Sequence, residues 1–232
     1  ILGPDEPLPE TWPVAGTTGY DFTNQLNGLF IDPAGWTSAV KLFTRFTDDE
    51  RSFPEIVREC KLLILKFAMV SELQMLAHHL NRISEQHRAT RDFTLNSLRY
   101  ALREVLASFP VYRTYPTSGG VSDRDQRFVT RAVASARRRN RSMDPGTFDF
   151  IRDVLLLRHP PNLSASAREA REFFAGRFQQ VTSPIMAKGV EDTAFYVYFP
   201  LASVNEVGGD PASAVDEHGV LGAGEQLGLV EG

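Results

Sequence analysis

Apolar side chains recur at three- and four-residue steps through the middle of the chain, between about Phe53 and Val181. This spacing places them on one face of a helix, so it predicts a largely helical block. Pro54 suits a first helical turn, and Asp92 suits a helix cap. The predicted helices are Trp36 to Phe46, Phe53 to Arg88, Asp92 to Ser108, Ser122 to Asn140, Pro145 to Leu157 and Ser164 to Val181. A short strand is predicted at Val111 to Tyr115, before a Pro116 to Gly120 turn.

The segments on either side of this block differ from it in composition. Ile1 to Gly35 is interrupted by many prolines and glycines, which predicts a structured loop instead of a regular element. Its aromatic and large apolar residues are expected to be buried; they are Trp12, Tyr20, Phe22, Leu29 and Phe30. A helical block between two such segments is typical of a helical subdomain inserted into another domain.

Length and charge exclude some classes of protein. The 232 residues allow one large domain or two small ones, and the formal net charge of -4 gives no reason to expect nucleic acid as a partner. Apolar runs such as Leu62 to Leu65 are too short to cross a membrane. The single cysteine, Cys60, cannot form an internal disulfide, which fits a cytoplasmic location.

Two segments outside the helical block combine charged groups, hydroxyls and aromatic rings within a short span. The first is Trp12 to Phe22, which contains Gly-Thr-Thr-Gly-Tyr-Asp and continues through Asn27 to Phe30 and Asp32-Pro33. The second is Met186 to Tyr196, which contains Lys-Gly-Val-Glu-Asp-Thr-Ala-Phe-Tyr and continues through Asn205 to Pro211. In carbohydrate sites rings stack on pyranose faces, while carboxylates, amides and cations bond the hydroxyls. The two segments therefore predict a sugar-binding surface.

Both segments resemble an internal part of the maltooligosyl trehalose synthase family, and three further strings follow the family's order. They are Asp92-Phe-Thr94, Phe109-Pro-Val-Tyr-Arg-Thr-Tyr115 and Arg177-Phe-Gln-Gln180. The resemblance implies an enzyme of the α-amylase clan (glycoside hydrolase family 13), built on a (β/α)8 TIM barrel with helical insertions. It implies an isomerase of trehalose biosynthesis that needs no cofactor. The reaction would convert the reducing-end α-1,4 bond of a maltooligosaccharide into an α,α-1,1 bond.

The resemblance also implies a division of the chain. Residues 1–48 and 178–211 would supply loops and walls of the barrel, and residues 49–177 would form the inserted helical subdomain. The chain itself would then be mainly α. Residues 212–232, where the resemblance stops, are expected to be a divergent, disordered tail. Because half of the barrel would be missing, we expect exposed apolar surface and aggregation of the isolated chain.

The catalytic carboxylates are expected outside this chain. In the family the acid/base glutamate lies in a Glu-Lys-Ile-Leu string, whereas this chain opens with Ile1-Leu2. The family's nucleophilic aspartate lies further upstream, and its third aspartate follows a histidine, but His218 is followed by Gly219. Retaining glycoside chemistry requires a pair of such carboxyl groups. We therefore assign no catalytic residue and expect the chain alone to be inactive.

Nine residues are the candidate substrate ligands: Tyr20, Asp21, Arg113, Tyr115, Lys188, Glu191, Asp192, Tyr196 and Tyr198. Tyr20 and Asp21 would belong to an active-site wall, and Arg113 would lie at the strand end where barrel enzymes place their ligands. The two adjacent acids project about 100° apart on a helix, so they would bind the substrate or its surroundings instead of acting as a catalytic pair. Structural roles remain open as alternatives: a packed loop, a buried arginine, a surface lysine and core tyrosines.

Other chemistries have less support. The basic cluster Arg137 to Arg141 fits a solvated helix end, where cations meet the negative end of the helix dipole. His78 and His79 have no third ligand at metal spacing, so no metal is expected. Two other functions stay open: an α-amylase-clan hydrolase or transglycosylase that releases glucose or maltose, and a non-catalytic helical interaction module formed by Phe53 to Val181. The sequence does not predict an oligomeric state.

Overall fold

A computed structural model of the chain describes residues 1–3, 6–9 and 12–211, so the tail predicted at residues 212–232 lies outside the described residues. The described part is mainly helical, as predicted, and it contains no β-strand, only an isolated bridge between Thr117 and Gly120. The α-helices are α1 Tyr20–Gly28, α2 Pro33–Thr47, α3 Phe53–Phe67, α4 Val70–Glu85, α5 Leu95–Ala107, α6 Asp123–Arg139, α7 Pro145–Leu155, α8 Ala165–Met186 and α9 Phe195–Val197. A π-helix occupies Ala187–Ala194, and a 3-10 helix occupies Ala202–Val204.

The chain divides into two compact units. Unit 1 comprises Ile1–Val57 together with the residues from Glu191 onward, and unit 2 comprises Arg58–Val190. The chain passes from one unit to the other within α3 and again within the π-helix.

Unit 2 has one apolar core, built from the end of α3 and from α4 to α8. Its most deeply buried large side chains are Leu65, Leu76, Leu80, Leu98, Leu102, Leu106, Phe148, Ile151, Phe174, Phe178 and Ile185. The last four α-helices of the unit begin with capping residues, Thr94, Ser122, Asp144 and Ser164, whose side chains accept hydrogen bonds from backbone N–H groups of the first turn. These bonds satisfy donors that a helix start leaves without a partner.

The single helix predicted from Phe53 to Arg88 is in fact two helices. Helix α3 ends at Phe67 and α4 begins at Val70, and the intervening Met69 departs from helical geometry, with φ -125° and ψ 34°. The Met69 N–H donates to the carbonyl of Ile64, five residues back. The apolar spacing hides this break, because residues on both sides of it pack into the same core.

The strand predicted at Val111 to Tyr115 is absent from the described structure. No second strand pairs with the segment; it is held by side chains of α8. The Oγ1 of Thr182 and the Oγ of Ser183 donate to the carbonyl of Tyr112, at 2.8 and 3.0 Å. Because this alternating segment has no partner strand, it forms a loop that side chains of α8 hold in place.

The N-terminal region contains a helix where a loop was predicted. Helix α1 occupies Tyr20–Gly28, and none of its residues is buried. The expected burial of the aromatic residues is also wrong. Phe22 is 62% exposed and Phe30 is 84% exposed. Tyr20 and Leu29 are also exposed, and Trp12 is half-buried.

Candidate functional site

The string Gly-Thr-Thr-Gly-Tyr-Asp, residues 16–21, forms the turn that starts α1. Gly19 has φ 90°, a left-handed conformation that only glycine adopts without strain. The N–H of Gly19 donates to Thr17 Oγ1 at 3.1 Å, and Thr17 Oγ1 donates to Asp21 Oδ1 at 2.5 Å. Thr23 Oγ1 closes the turn by donating to the carbonyl of Gly19. The turn therefore holds one carboxylate oxygen of Asp21, a residue that lies at the surface of unit 1.

The two segments singled out from the sequence meet in unit 1. Asn24 Nδ2 donates to the carbonyl of Val207 at 2.9 Å, across a separation of 183 residues. The close approach of the Val207 region to the N-terminal part of the chain requires two glycines. A Cβ on Gly208, whose φ is 75°, would lie 2.6 Å from the carbonyl oxygen of Leu2, and a Cβ on Gly209 would lie 2.6 Å from Asn24 Oδ1. The Gly-Gly pair of the second segment thus allows close contact with the backbone of Leu2 and with the side chain of Asn24.

The two candidate tyrosines near the end of the chain have opposite environments. Tyr196 is 79% exposed, so most of its side chain is open to solvent. Tyr198 is 7% exposed, and its ring lies 5.3 Å from those of Phe43 and Phe53. Burial raises the pKa of the Tyr198 hydroxyl. Tyr198 is therefore a core aromatic residue, whereas the ring of Tyr196 lies at the surface.

The π-helix carries the candidate amine and the adjacent acids. Lys188 is exposed at the end of unit 2, whereas Glu191 is half-buried and Asp192 is exposed in unit 1. Neighbouring residues of a helical turn project in different directions, so the two acids do not form a carboxylate pair facing one glycosidic bond. π-Helical turns are rare and occur frequently at functional sites. The three polar side chains therefore project separately from this turn.

Gly189 of the π-helix packs closely against Lys61 of α3. A Cβ there would lie 2.7 Å from Lys61 Cγ and 3.1 Å from Lys61 Cα. Lys61 is 2% exposed, and its Nζ donates to the carbonyl of Phe109 at 2.8 Å. Burial lowers the pKa of this amine to about 7. The sequence did not single out Lys61; the only signal was its position on the buried face of α3, four residues before Leu65.

Arg113 and Tyr115 lie together in unit 2. The Arg113 guanidinium carbon is 5.4 Å from the centre of the Tyr115 ring, within the range of a cation–π contact. The Tyr115 N–H donates to Asp125 Oδ1 at 3.1 Å, and Gln179 Nε2 donates to the carbonyl of Pro116 at 3.0 Å. Burial raises the pKa of the Tyr115 hydroxyl, the Asp125 carboxylate adds to this, and the charge of Arg113 opposes it.

The guanidinium of Arg113 also contains one donor that the described residues do not use. Its Nε is buried and has no hydrogen-bond partner among the described residues. A buried donor without a partner is unfavourable unless another group satisfies it. Arg58, Arg103 and Arg124, which pair with acids, have a buried Nε of the same kind. This observation therefore does not distinguish a ligand-binding arginine from a structural one.

The nine candidates are thus divided between the two units. Unit 1 contains Tyr20, Asp21, Glu191, Asp192, Tyr196 and Tyr198, and unit 2 contains Arg113, Tyr115 and Lys188. Among the described residues, no group of three His, Cys, Asp or Glu side chains could hold a metal ion. The helices of that part of the chain are all too short or too polar to cross a membrane.

Comparison with known proteins confirms the resemblance found in the sequence, although no family model matches the chain. It is 29% identical over 212 residues to proteins from two strains of Mycobacterium tuberculosis, both described as putative maltooligosyl trehalose synthase. The match covers 91% of this chain but 24% of each relative, so the chain spans about a quarter of their length.

Two solved structures are also similar to the chain. One is described as DSM5389 glycosyltrehalose synthase, with a TM-score of 0.60 and 26% identity over 90% of this chain and 22% of that one. The other is a hypothetical maltooligosyl trehalose synthase of Sulfolobus tokodaii, with a TM-score of 0.59 over 90% of this chain and 23% of that one. At 23% identity, the second similarity shows the fold alone.

Proposed function

We propose that this relative of the maltooligosyl trehalose synthases is part of an enzyme that forms maltooligosyltrehalose. The reaction moves the reducing-end α-1,4 bond of a maltooligosaccharide to an α,α-1,1 bond, in a (β/α)8 barrel enzyme of the α-amylase clan. The catalytic carboxylates belong to segments outside this chain. The residues described here bind and orient the substrate.

The observation that carries this proposal is the meeting of two sugar-type segments in unit 1. Their contact through Asn24 and the Val207 carbonyl brings the exposed Asp21 and the exposed Tyr196 into one compact unit. The sequence match to relatives described as synthases covers 91% of the chain. A purely helical interaction module would use neither segment.

The proposed roles follow from chemistry and exposure. The open ring of Tyr196 stacks on a glucose unit, and the carboxylates of Asp21 and Asp192 accept hydrogen bonds from sugar hydroxyls. Lys188 and Arg113 donate hydrogen bonds to hydroxyl oxygens. In the proposed reaction the released glucose must turn and present its anomeric hydroxyl before water reaches the glycosyl-enzyme intermediate. Many weak contacts that restrain the glucose favour this outcome.

A chimera tests the proposal. Residues 1–211 replace the matched quarter of the mycobacterial relative, and the purified chimera is incubated with maltohexaose. We expect the reducing ends to disappear while a non-reducing product of the same mass accumulates. In this chimera Tyr196→Ala should lower kcat/KM about tenfold, because the stacking surface is lost. The matched control is Phe173→Ala, which removes a half-exposed ring on α8 and should leave kcat/KM unchanged.

The products also distinguish the alternatives. Free glucose or maltose as the main products would show a hydrolase or another transferase of the clan and would overturn the proposal. The 232-residue chain alone should convert no maltohexaose. Conversion by that chain would contradict the placement of the catalytic carboxylates in other segments.

A further inference from the structure

The side chain of Lys61 lies where three elements of unit 2 meet. It belongs to α3 and is 2% exposed. Its Nζ donates to the carbonyl of Phe109, at the start of the loop that follows α5, with a distance of 2.8 Å. Its Cγ packs against Gly189 of the π-helix, where an added Cβ would lie 2.7 Å away. Lys61 therefore connects α3 with both the loop and the π-helix.

This position is unfavourable for an amine. Lysines are almost never fully buried unless they are paired, and among the described residues the Lys61 amine bonds a carbonyl and no carboxylate. Desolvation by burial is the cause that lowers the pKa of the amine to about 7, and no nearby acid opposes it. An apolar side chain of the same length would fill the site without this desolvation. Stability therefore does not account for the amine, whereas its bond to Phe109 does.

That bond holds one end of a loop that carries two candidate substrate ligands. Residues 109–116 contain neither a helix nor a strand, and they include Arg113 and Tyr115. Side chains of α8 hold the middle and the far end of this loop by bonds to the carbonyls of Tyr112 and Pro116. Lys61 holds the near end. Without its bond, the loop would be fixed only beyond Tyr112.

We propose that Lys61 is a positioning residue for substrate binding. Its bond to the Phe109 carbonyl fixes the 109–116 loop and thereby keeps Arg113 and Tyr115 in place for the sugar. The amine is too deeply buried to touch a substrate, so it acts only through the loop. This inference rests on the proposed function, which makes Arg113 a donor to sugar hydroxyls.

Lys61→Met in the 232-residue chain tests the hold on the loop. Methionine keeps an unbranched side chain beside Gly189 and removes only the donor. We expect the melting temperature at pH 6 to rise, because a buried amine without an acid is lost. The hydrogen-bonded amides of Phe109 and Tyr115 should nevertheless exchange about fivefold faster, because the loop loses one bond. Lys66→Met, at an exposed position of α3, is the control and should change neither quantity.

The same variant in the chimera described above tests the effect on the substrate. Lys61→Met should raise KM for maltohexaose about three- to tenfold and change kcat less than about twofold, because the loop contacts the substrate equally in the ground state and the transition state. A residue with a merely structural role would instead lower the melting temperature, and KM would not change by itself. Higher stability together with weaker substrate binding is therefore the result that identifies a positioning residue.

Other results would overturn the inference. A Lys61→Met chain that melts at a lower temperature, or fails to fold, would make the amine an ordinary stabilising group of the core. Unchanged exchange at Phe109 and Tyr115 would show that the bond does not hold the loop. An unchanged KM in an active chimera would show that the loop does not position a substrate ligand. An unsubstituted chimera that makes no maltooligosyltrehalose would contradict the proposed function, and the exchange rates of the 232-residue chain would still decide whether Lys61 holds the loop.

Discussion

The two units bury their apolar side chains to different extents. Unit 2 closes a core in which the largest side chains, such as Phe148 and Phe174, are fully buried. The described part of unit 1 buries only a few apolar side chains. They are Phe43, Phe53, Ile56, Ala194, Phe195, Tyr198 and Val204. It leaves Phe22, Phe30 and Phe46 largely exposed. Since most helical stability in proteins comes from packing, unit 2 holds its own helices, whereas unit 1 lacks much of the surface that its helices need.

Unit 2 also pairs one buried carboxylate, that of Glu104, with its own side chains. Glu104 is 1% exposed, and its carboxylate bonds Arg58, Arg103 and Asn140. Burial alone would raise the pKa of Glu104, but hydrogen bonds from Arg103 and Asn140 and the charge of Arg58 outweigh it, and the pKa is lowered. A complete core can thus hold an ionised group. Substitutions of apolar side chains should therefore change the free energy of unfolding by different amounts in the two units.

The largest expected difference is between two phenylalanines. Phe148→Ala, in the core of unit 2, should lower the free energy of unfolding by about 3–5 kcal/mol, because it leaves a cavity. Phe30→Ala in unit 1 should change it by less than about 0.5 kcal/mol, because the ring is already in water. Urea denaturation followed by circular dichroism measures both. Equal losses for the two variants would mean that Phe30 is buried in solution and would remove the contrast between the units.

Lys61→Met tests how the core of unit 2 accommodates a buried amine. The expected explanation is that the amine can lose its proton. Burial lowers the pKa of Lys61 to about 7 in the folded protein, against an ordinary value of 10.5. Between these values the unfolded chain binds one more proton, so the free energy of unfolding rises with pH. Below pH 7 both states are protonated, and the unfavourable contribution is at its maximum.

We therefore expect Lys61→Met to be more stable than the unsubstituted chain at pH 6, by about 1–3 kcal/mol after loss of the hydrogen bond to Phe109. The difference should shrink towards pH 10. Urea denaturation at several pH values measures it. Lys66→Met, at an exposed position of the same helix, is the control and should show no such pH dependence. Parallel pH profiles for Lys61→Met and the unsubstituted chain would contradict the burial of the amine.

Two glycines of unit 2 test how closely its helices pack. Gly189→Ala would place a Cβ 2.7 Å from Lys61 Cγ and 3.1 Å from its Cα, so it should cost about 1–3 kcal/mol. Gly176→Ala, inside α8, meets no atom within 4 Å and should stabilise the protein by about 0.5–1 kcal/mol. Thermal melts of the two variants should therefore shift in opposite directions. Shifts of the same sign would show that α3 and the π-helix are further apart than described.

The helices of unit 2 could be predicted because their apolar spacing and their packing agree. The break at Met69 could not, because residues on both sides of it face the same core. Helix α1 escaped prediction for a related reason. Glycine and proline signals dominate residues 1–35, and the apolar residues of α1 face away from unit 1. The missing strand at Val111 to Tyr115 shows that alternation predicts a strand only where a partner strand exists.

The residue types of the candidate site could be predicted from the sequence, but their positions in space could not. The two sugar-type segments stand out in the sequence, yet nothing in it shows that Asn24 joins them through the Val207 carbonyl. The exposure of Tyr196 and the burial of Tyr198 likewise depend on which face of the chain meets Phe43. Lys61 escaped notice because lysines are almost never fully buried. Contacts between residues far apart in sequence decide each of these points.

The smallest expected effect concerns the contact that joins the two sugar-type segments of unit 1. Asn24→Ala removes the 2.9 Å hydrogen bond to the Val207 carbonyl, so it should cost about 0.5–1.5 kcal/mol. Because this bond holds a helix that buries no residue, the loss should appear as local opening. Amide hydrogen exchange should accelerate in α1 and near Val207 while the amides of α5 and α7 keep their protection. The control, Gln25→Ala, alters an exposed neighbour and should leave the exchange unchanged. If the amides of α5 accelerated as much as those of α1, the two units would unfold together, and α1 would depend on the core of unit 2 instead of on Asn24.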